Sequence, residues 1–235
     1  DKRGISSGAA EVRKRGGAAG MAHPFRIGSP ICTGCYWEFE VENWQDLDYI
    51  EVWSGTFAPV KADNRRAFAF WTDRLNEGVR IAATSGRDWH EQVATEEPIS
   101  VTYLGLEDET APIDREAVRS LKAGRAVVTI GPLVTLEARS NGIAYGIGEA
   151  IPAARSGRLH VRVAVDSTVR AGKWEPPAGK CKLVLMGNTG TVAEQTLERL
   201  NGSVDAFSFT VPDRDLRWLR AELWGEIRGV RTMIA

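Results

Sequence analysis

The sequence predicts an α/β fold with a parallel sheet over residues 1–131, followed by an antiparallel β-sandwich over residues 132–235. Three observations carry this. Helical and strand-like patterns alternate up to Gly131-Pro132, which is the mark of βαβ units. Beyond Pro132 the apolar residues recur with period two and helical periodicity is nearly absent. Metal-capable side chains also stand just past, or near the end of, three strand-like runs of the first unit: His23, Glu51, and the pair Asp88 and His90.

Each element has a local reason. Ser6 or Ser7 is placed to cap a helix from Ala9 to Arg15 that Gly16-Gly17 stops. Ala18 to Ala22 reads as a buried strand, ended by His23-Pro24. Residues 26 to 46 read as a long loop holding Trp37 and Trp44. A loop of that length inside a compact domain more often carries function than not. Asp48 to Trp53 is a strand closed by Ser54-Gly55. Asn64 to Glu77 has apolar residues at helical spacing, with Gly78 positioned to end the helix. Val79 to Ala83 is a short apolar strand, and Ile99 to Leu104 another. Asp114 is placed to cap a helix to Ala123, Gly124 ends it, and Ala126 to Ile130 is a strand. The sandwich runs are Leu133 to Ala138, Leu159 to Val165, Lys182 to Met186, Ala206 to Val211, Leu216 to Leu223 and Val230 to Ile234, separated by turn residues.

Composition narrows the function classes. Of 235 residues, 43% are hydrophobic and 26% charged, an ordinary globular balance. Lys plus Arg number 30 against 31 Asp plus Glu, so no polycationic surface for nucleic acid is expected. Arg13-Lys14-Arg15 reads as a solvated helix face. No apolar run approaches the roughly 20 residues that span a bilayer. No membrane association is therefore expected, and a soluble protein of the cytoplasm or periplasm is. The chain starts at Asp1 and not at Met, which raises the expectation of a preceding segment.

The three cysteines form no disulfide framework. Cys32-Thr33-Gly34-Cys35 is a C-x-x-C, open to reading as a redox pair, half of a zinc site or two loop thiols. No second C-x-x-C exists to complete a four-thiolate site. Tyr36-Trp37-Glu38-Phe39 does not read as the helix whose N-terminus a reactive thiol uses.

The chemistry concentrates at the strand ends. In Thr84-Ser85-Gly86-Arg87-Asp88-Trp89-His90, a carboxylate and an imidazole stand two residues apart just past a strand, a pair that suits zinc or another transition metal. His23 to Glu51 spans 28 residues and Glu51 to Asp88 spans 37, each about one βαβ unit. In parallel α/β folds the rim of strand C-termini is where active sites are built. Arg26 and Arg87 flank this group and suit a bound phosphate oxygen. His160 alternates with Leu159 and Val161 and reads as structural. Trp53, Trp71 and Trp218 read as core, whereas Trp37, Trp44 and Trp89 read as candidates to wall a pocket.

Several segments occur in an order that resembles a known family. These are Ala22-His23-Pro24-Phe25, Ile50-Glu51-Val52-Trp53-Ser54-Gly55, Gly86-Arg87-Asp88-Trp89-His90, Ala117 to Arg125, and Ile130-Gly131-Pro132. The chain resembles the PHP (polymerase and histidinol phosphatase) superfamily in its carbaryl-hydrolase-like branch, including a β-rich C-terminal segment with a strand like Trp218-Leu219-Arg220-Ala221-Glu222. The resemblance implies the C-terminal part of a distorted (β/α)7 barrel, and two or three divalent ions (Zn, Mn or Fe) that activate water against a phosphoester or related small ester. It implies His23, Asp88 and His90 as metal ligands, with Asp88 also touching the nucleophilic water. Glu51 matches a strand-end Glu that more often supports the ligands than binds metal itself. Ser54 departs from a common Asn, and Arg87 from a small residue.

The family's opening His-x-His is absent, since the chain's only histidines are His23, His90 and His160. Residues 1 to 131 are also too few for seven units at about 30 residues each. The expectation is therefore the C-terminal half of a catalytic domain plus its sandwich. Its partners would be a small anionic or ester substrate and a missing N-terminal segment or another copy of the chain. The competing expectation is a degenerate, non-catalytic member whose sandwich binds a ligand or partner. A weaker third is a C-x-x-C redox module.

Overall fold

Two parallel strand pairings organise the N-terminal unit. The computed structural model describes residues 4–26, 37, 39–90, 98–152 and 157–235. In it β1 (Gly20–Met21), β2 (Tyr49–Ser54) and β3 (Ala82–Gly86) form a parallel sheet in that order. Helix α2 (Ala62–Asn76) connects β2 to β3. Its exit is set by Gly78, whose φ of 87° is one L side chains rarely adopt. The Val79 N–H then bonds the Arg74 carbonyl at 2.9 Å and closes the helix end. Val79 and Arg80 thus belong to the helix exit, and β3 starts three residues later than its apolar run suggests. Met21, Ile50 and Val52 are at most 1% exposed and form the floor under the strand ends. Each contributes roughly 1.5–3 kcal/mol by burial.

The other helices differ from expectation at their starts. Helix α1 (Ile5–Lys14) follows Gly4 and has no side-chain cap, so neither Ser6 nor Ser7 caps it. Helix α3 (Ile113–Lys122) follows Pro112, and Asp114 lies inside its first turn, where its charge suits the positive helix end without capping it. Helix α3 joins β4 (Val101–Leu104) to β5 (Ala126–Thr129), and these two strands are antiparallel.

The expected (β/α)7 barrel portion is not formed. Strand residues make up 38% against 20% helix, with three α-helices among the described residues. A parallel barrel needs a crossover between each pair of neighbouring strands. Among the described residues α2 is the one α-helix between paired parallel strands, because α3 returns its chain antiparallel. The result is an open three-stranded sheet beside a two-stranded one.

Two four-stranded antiparallel sheets follow. One has the order β11-β8-β6-β7, from β6 (Leu133–Ser140), β7 (Ile143–Tyr145), β8 (Arg158–Asp166) and β11 (Val204–Pro212). The other has the order β10-β9-β12-β13, from β9 (Cys181–Gly187), β10 (Gly190–Leu197), β12 (Leu219–Ile227) and β13 (Val230–Met233). On β8, Leu159, Val161, Val163 and Val165 point inward and alternate with exposed Arg158, His160 and Arg162. They share one core with Cys181, Leu183, Leu185 and Leu223 of the facing sheet. His160 stands on the outer face, with Nδ1 at 3.2 Å from Thr210 Oγ1. Among the described residues no helix is long and apolar enough to cross a membrane.

The units are bonded to each other. The Ile130 N–H and the Thr129 hydroxyl both donate to the Ile234 carbonyl, at 3.0 and 2.8 Å. Trp218 Nε1 donates to Asn76 Oδ1 at 2.9 Å, tying β12's approach to the end of α2.

Candidate functional site

Three strand ends deliver the site. After β1 the backbone turns at His23, with φ of 27°, and the Arg26 N–H bonds the His23 carbonyl at 3.0 Å. That turn sends His23 and Arg26 toward one carboxylate. On β2, Glu51 pairs with Thr84 and Trp53 with Ser85, so Val52 is the extra residue of a bulge. Beyond the bulge, buried Asn64 holds the strand end. Its Nδ2 donates to the carbonyls of Ser54 and Ala58, at 3.1 and 2.8 Å, and its Oδ1 accepts from the Ser54 N–H at 3.1 Å. After β3, Asp88 takes φ of 52°, a left-handed conformation that Asp tolerates better than most residues.

Asp88 is the centre of the group. Its Oδ2 lies 2.6 Å from Arg26 Nη1, and its Oδ1 lies 3.1 Å from His90 Nε2 and 3.7 Å from His23 Nε2. The last distance is an electrostatic contact and not a hydrogen bond. The side chains of Asp88 and His23 are 19% and 18% exposed, whereas His90 is 77% exposed and forms the solvent side. Glu51 sits behind them. Burial pushes its carboxyl above the usual range, and Asp88 adds to this, while the Ser54 hydroxyl, His23 and Arg26 pull it back. Glu51 Oε1 and His23 Nδ1 are buried without hydrogen-bond partners. Unsatisfied buried atoms of that kind call for an explanation, and room for a missing cation or donor is one.

Of the residues expected at the site, His23, Arg26, Glu51, Asp88 and His90 are brought together. Arg87 turns another way. Its Nη1 reaches Thr56 Oγ1 at 3.3 Å, and its guanidinium lies 4.9 Å over the ring of Trp89. Trp89, 56% exposed, is thus a rim residue. Trp44 is not: it packs edge-on to Phe70 at 5.5 Å and under Arg74, on α2. Trp37 packs edge-on to Phe39. Cys32 and Cys35 lie outside the described residues. Cys181 is buried in the sandwich, where burial pushes its thiol up.

Sequence reasoning missed the supports. Asn64 reads as an ordinary helix residue, and its partners are fixed only by the turn at Gly55 to Ala58. Gly86 reads as a turn glycine, yet it is the last residue of β3 and lies beside the Glu51 carboxylate.

Two imidazoles and two carboxylates are the donor types of zinc, manganese and iron sites. Among the described residues no group of three or more His, Cys, Asp and Glu is arranged around one point as a bound ion requires. Arg26 also holds one oxygen of Asp88. The donors match a divalent ion in kind, and His23 Nδ1 and Glu51 Oε1 have no hydrogen-bond partner. Comparison of the chain with protein-family models, with curated proteins and with solved structures finds no match.

Proposed function

We propose that the Asp88 site hydrolyses a small anionic ester, a phosphoester foremost, as a member of the PHP superfamily working with one divalent ion. The observation that carries this reading is the convergence of His23, Arg26 and His90 on Asp88, with half-buried Glu51 behind them.

His23, Glu51 and Asp88 would hold the ion, Glu51 and Asp88 as carboxylates. When bound, the ion offsets negative charge on the ester oxygens. Arg26, partly exposed, holds a second anionic oxygen by a charge-assisted bond. Asp88 fixes His90 through Nε2, leaving Nδ1 to accept a proton from the attacking water. Trp89 and Arg87, stacked beside the site, bound one side of the entrance.

The test is release of p-nitrophenol from p-nitrophenyl phosphate with Mn²⁺, Zn²⁺ or neither, for the native chain and Asp88→Asn. The expected result is metal-dependent turnover that falls at least about 100-fold in the variant. Turnover that is absent with both ions, or equal in the variant, overturns the reading.

One observation favours a second reading, a site that no longer catalyses. The 2.6 Å Arg26–Asp88 pair neutralises the central carboxylate. On that reading neither ion binds and no ester is cleaved, and Arg26→Ala restores neither.

A further inference from the structure

A second concavity lies between α2 and β3 on one side and β6 and β12 on the other. Its volume is about 420 Å³, inside the range of roughly 300–1,000 Å³ typical of small-molecule sites. The walls are apolar and incompletely covered: Phe68, Trp71, Ala83, Val128, Leu136 and Leu219 line it, and each is only half-buried. The walls are also held apart by fixed bonds. Arg220 Nη1 donates to Thr72 Oγ1 at 2.9 Å, Trp218 Nε1 to Asn76 Oδ1 at 2.9 Å, and Arg80 Nη2 to the Gly148 carbonyl at 2.7 Å. The cleft is therefore formed in advance of any occupant. Water is a poor filler for it, because apolar walls give water few partners.

The charges around it are unbalanced. Arg80, Lys122 and Arg217 line the cleft, with Glu149 and Glu222. Glu222 is neutralised by Arg220 at 2.7 Å. Arg80 and Arg217 donate to the carbonyls of Gly148 and Asn76, which carry no net charge. Three cations thus stand against one carboxylate, that of Glu149, which accepts from the Gly146 N–H and has no cationic partner among the described residues. We infer that the cleft binds an apolar monocarboxylate, a fatty acid or an aromatic acid, with its body between the half-buried walls and its carboxylate at the Arg80, Lys122 and Arg217 rim. This site is separate from the Asp88 group, and the inference uses none of the chemistry proposed there.

Titration calorimetry on the full chain tests it, with dodecanoate, 2-naphthoate and dodecanol as probes. The expected result is one carboxylate bound per chain at micromolar Kd, with dodecanol about tenfold weaker. The two acids distinguish an aliphatic from an aromatic occupant. Leu136→Trp, which fills the cleft, is expected to abolish binding of all three. The double variant Lys122→Gln and Arg217→Gln changes two exposed side chains, so it folds whether or not Leu136→Trp does. It is expected to weaken the acids about tenfold and leave dodecanol unchanged. No heat from either acid overturns the inference. So does equal binding of dodecanol and dodecanoate, an acid affinity indifferent to the double variant, or a dimer whose interface Leu136→Trp breaks.

Discussion

The carboxylate of Glu51 lies against the Cα of Gly86. A methyl placed on Gly86 would stand 2.7 Å from Cδ and from both carboxylate oxygens, closer than side chains pack. The atoms it would meet are the far end of a flexible side chain, and Gly86 has no positive φ to strain an alanine. Gly86→Ala should therefore swing Glu51 out of place at little cost to the fold. The expected melting temperature lies within about 4 °C of the native chain, equivalent to roughly 1 kcal/mol. Mn²⁺ affinity by calorimetry should fall at least about tenfold. Unchanged affinity would mean that Glu51 has no part in holding the ion.

Asp88 combines a charge with a strained backbone, and two substitutions separate them. Its φ of 52° suits Asn almost as well as Asp. Asp88→Asn should keep the fold and lose turnover, because the imidazole of His90 loses its charged partner. Asp88→Ala should lose turnover equally and be less stable than Asp88→Asn by about 1 kcal/mol, the left-handed penalty of a residue with Cβ and no local hydrogen bond. Chemical unfolding of the two variants checks this. Equal stabilities would remove the backbone argument.

These two cases show what was legible in the chain. His23, Glu51, Asp88 and His90 could be grouped because a short apolar run followed by a turn residue fixes a strand end, and the spacing of such ends approximates a βαβ repeat. Arg26 could be added because it sits three residues past His23. The Glu51–Gly86 contact could not be read, since it depends on the cross-strand register and on the bulge at Val52. Fold class failed for a related reason. Asp114 to Ala123 carries a good helix pattern, but nothing local says whether the strand after it pairs parallel or antiparallel. Antiparallel pairing of β4 with β5 is what leaves the sheet open. Strand β7 is only three residues long, and β10 is rich in polar residues such as Thr191, Glu194, Gln195 and Thr196, so neither shows an apolar alternation.

Burial raises the Glu51 carboxyl above its usual range, which sets the sign of a pH effect. The native chain keeps this proton to higher pH than the unfolded chain does. The stability it contributes is fully present below the ordinary Glu value, about 4.3, and is lost as pH rises through the native value. Glu51→Gln cannot ionise and lacks this loss. Relative to the native chain its stability should therefore improve as pH rises above about 4.3, measured by urea unfolding across that range. A difference that is flat or falls with pH would show that the carboxyl is not raised.

Arg220 links the two units. Its guanidinium lies 4.5 Å from the ring centre of Phe68, 4.9 Å from Trp218 and 5.3 Å from Trp71. Its Nε donates to Glu222 Oε1 at 2.7 Å and its Nη1 to Thr72 Oγ1 at 2.9 Å. Glu222 Oε2 accepts from Trp224 Nε1 at 3.0 Å, so both carboxylate oxygens are used. Both side chains are largely buried, which makes one partner without the other the costly state. Arg220→Ala should destabilise by about 3–5 kcal/mol, chiefly because Glu222 keeps its charge with no counterion. The double variant Arg220→Met with Glu222→Met should recover most of that loss, since both charges go and apolar volume replaces them. Urea unfolding of the single and double variants decides the matter. A single-variant loss below about 1 kcal/mol would mean that Glu222 is reached by water once Arg220 is gone.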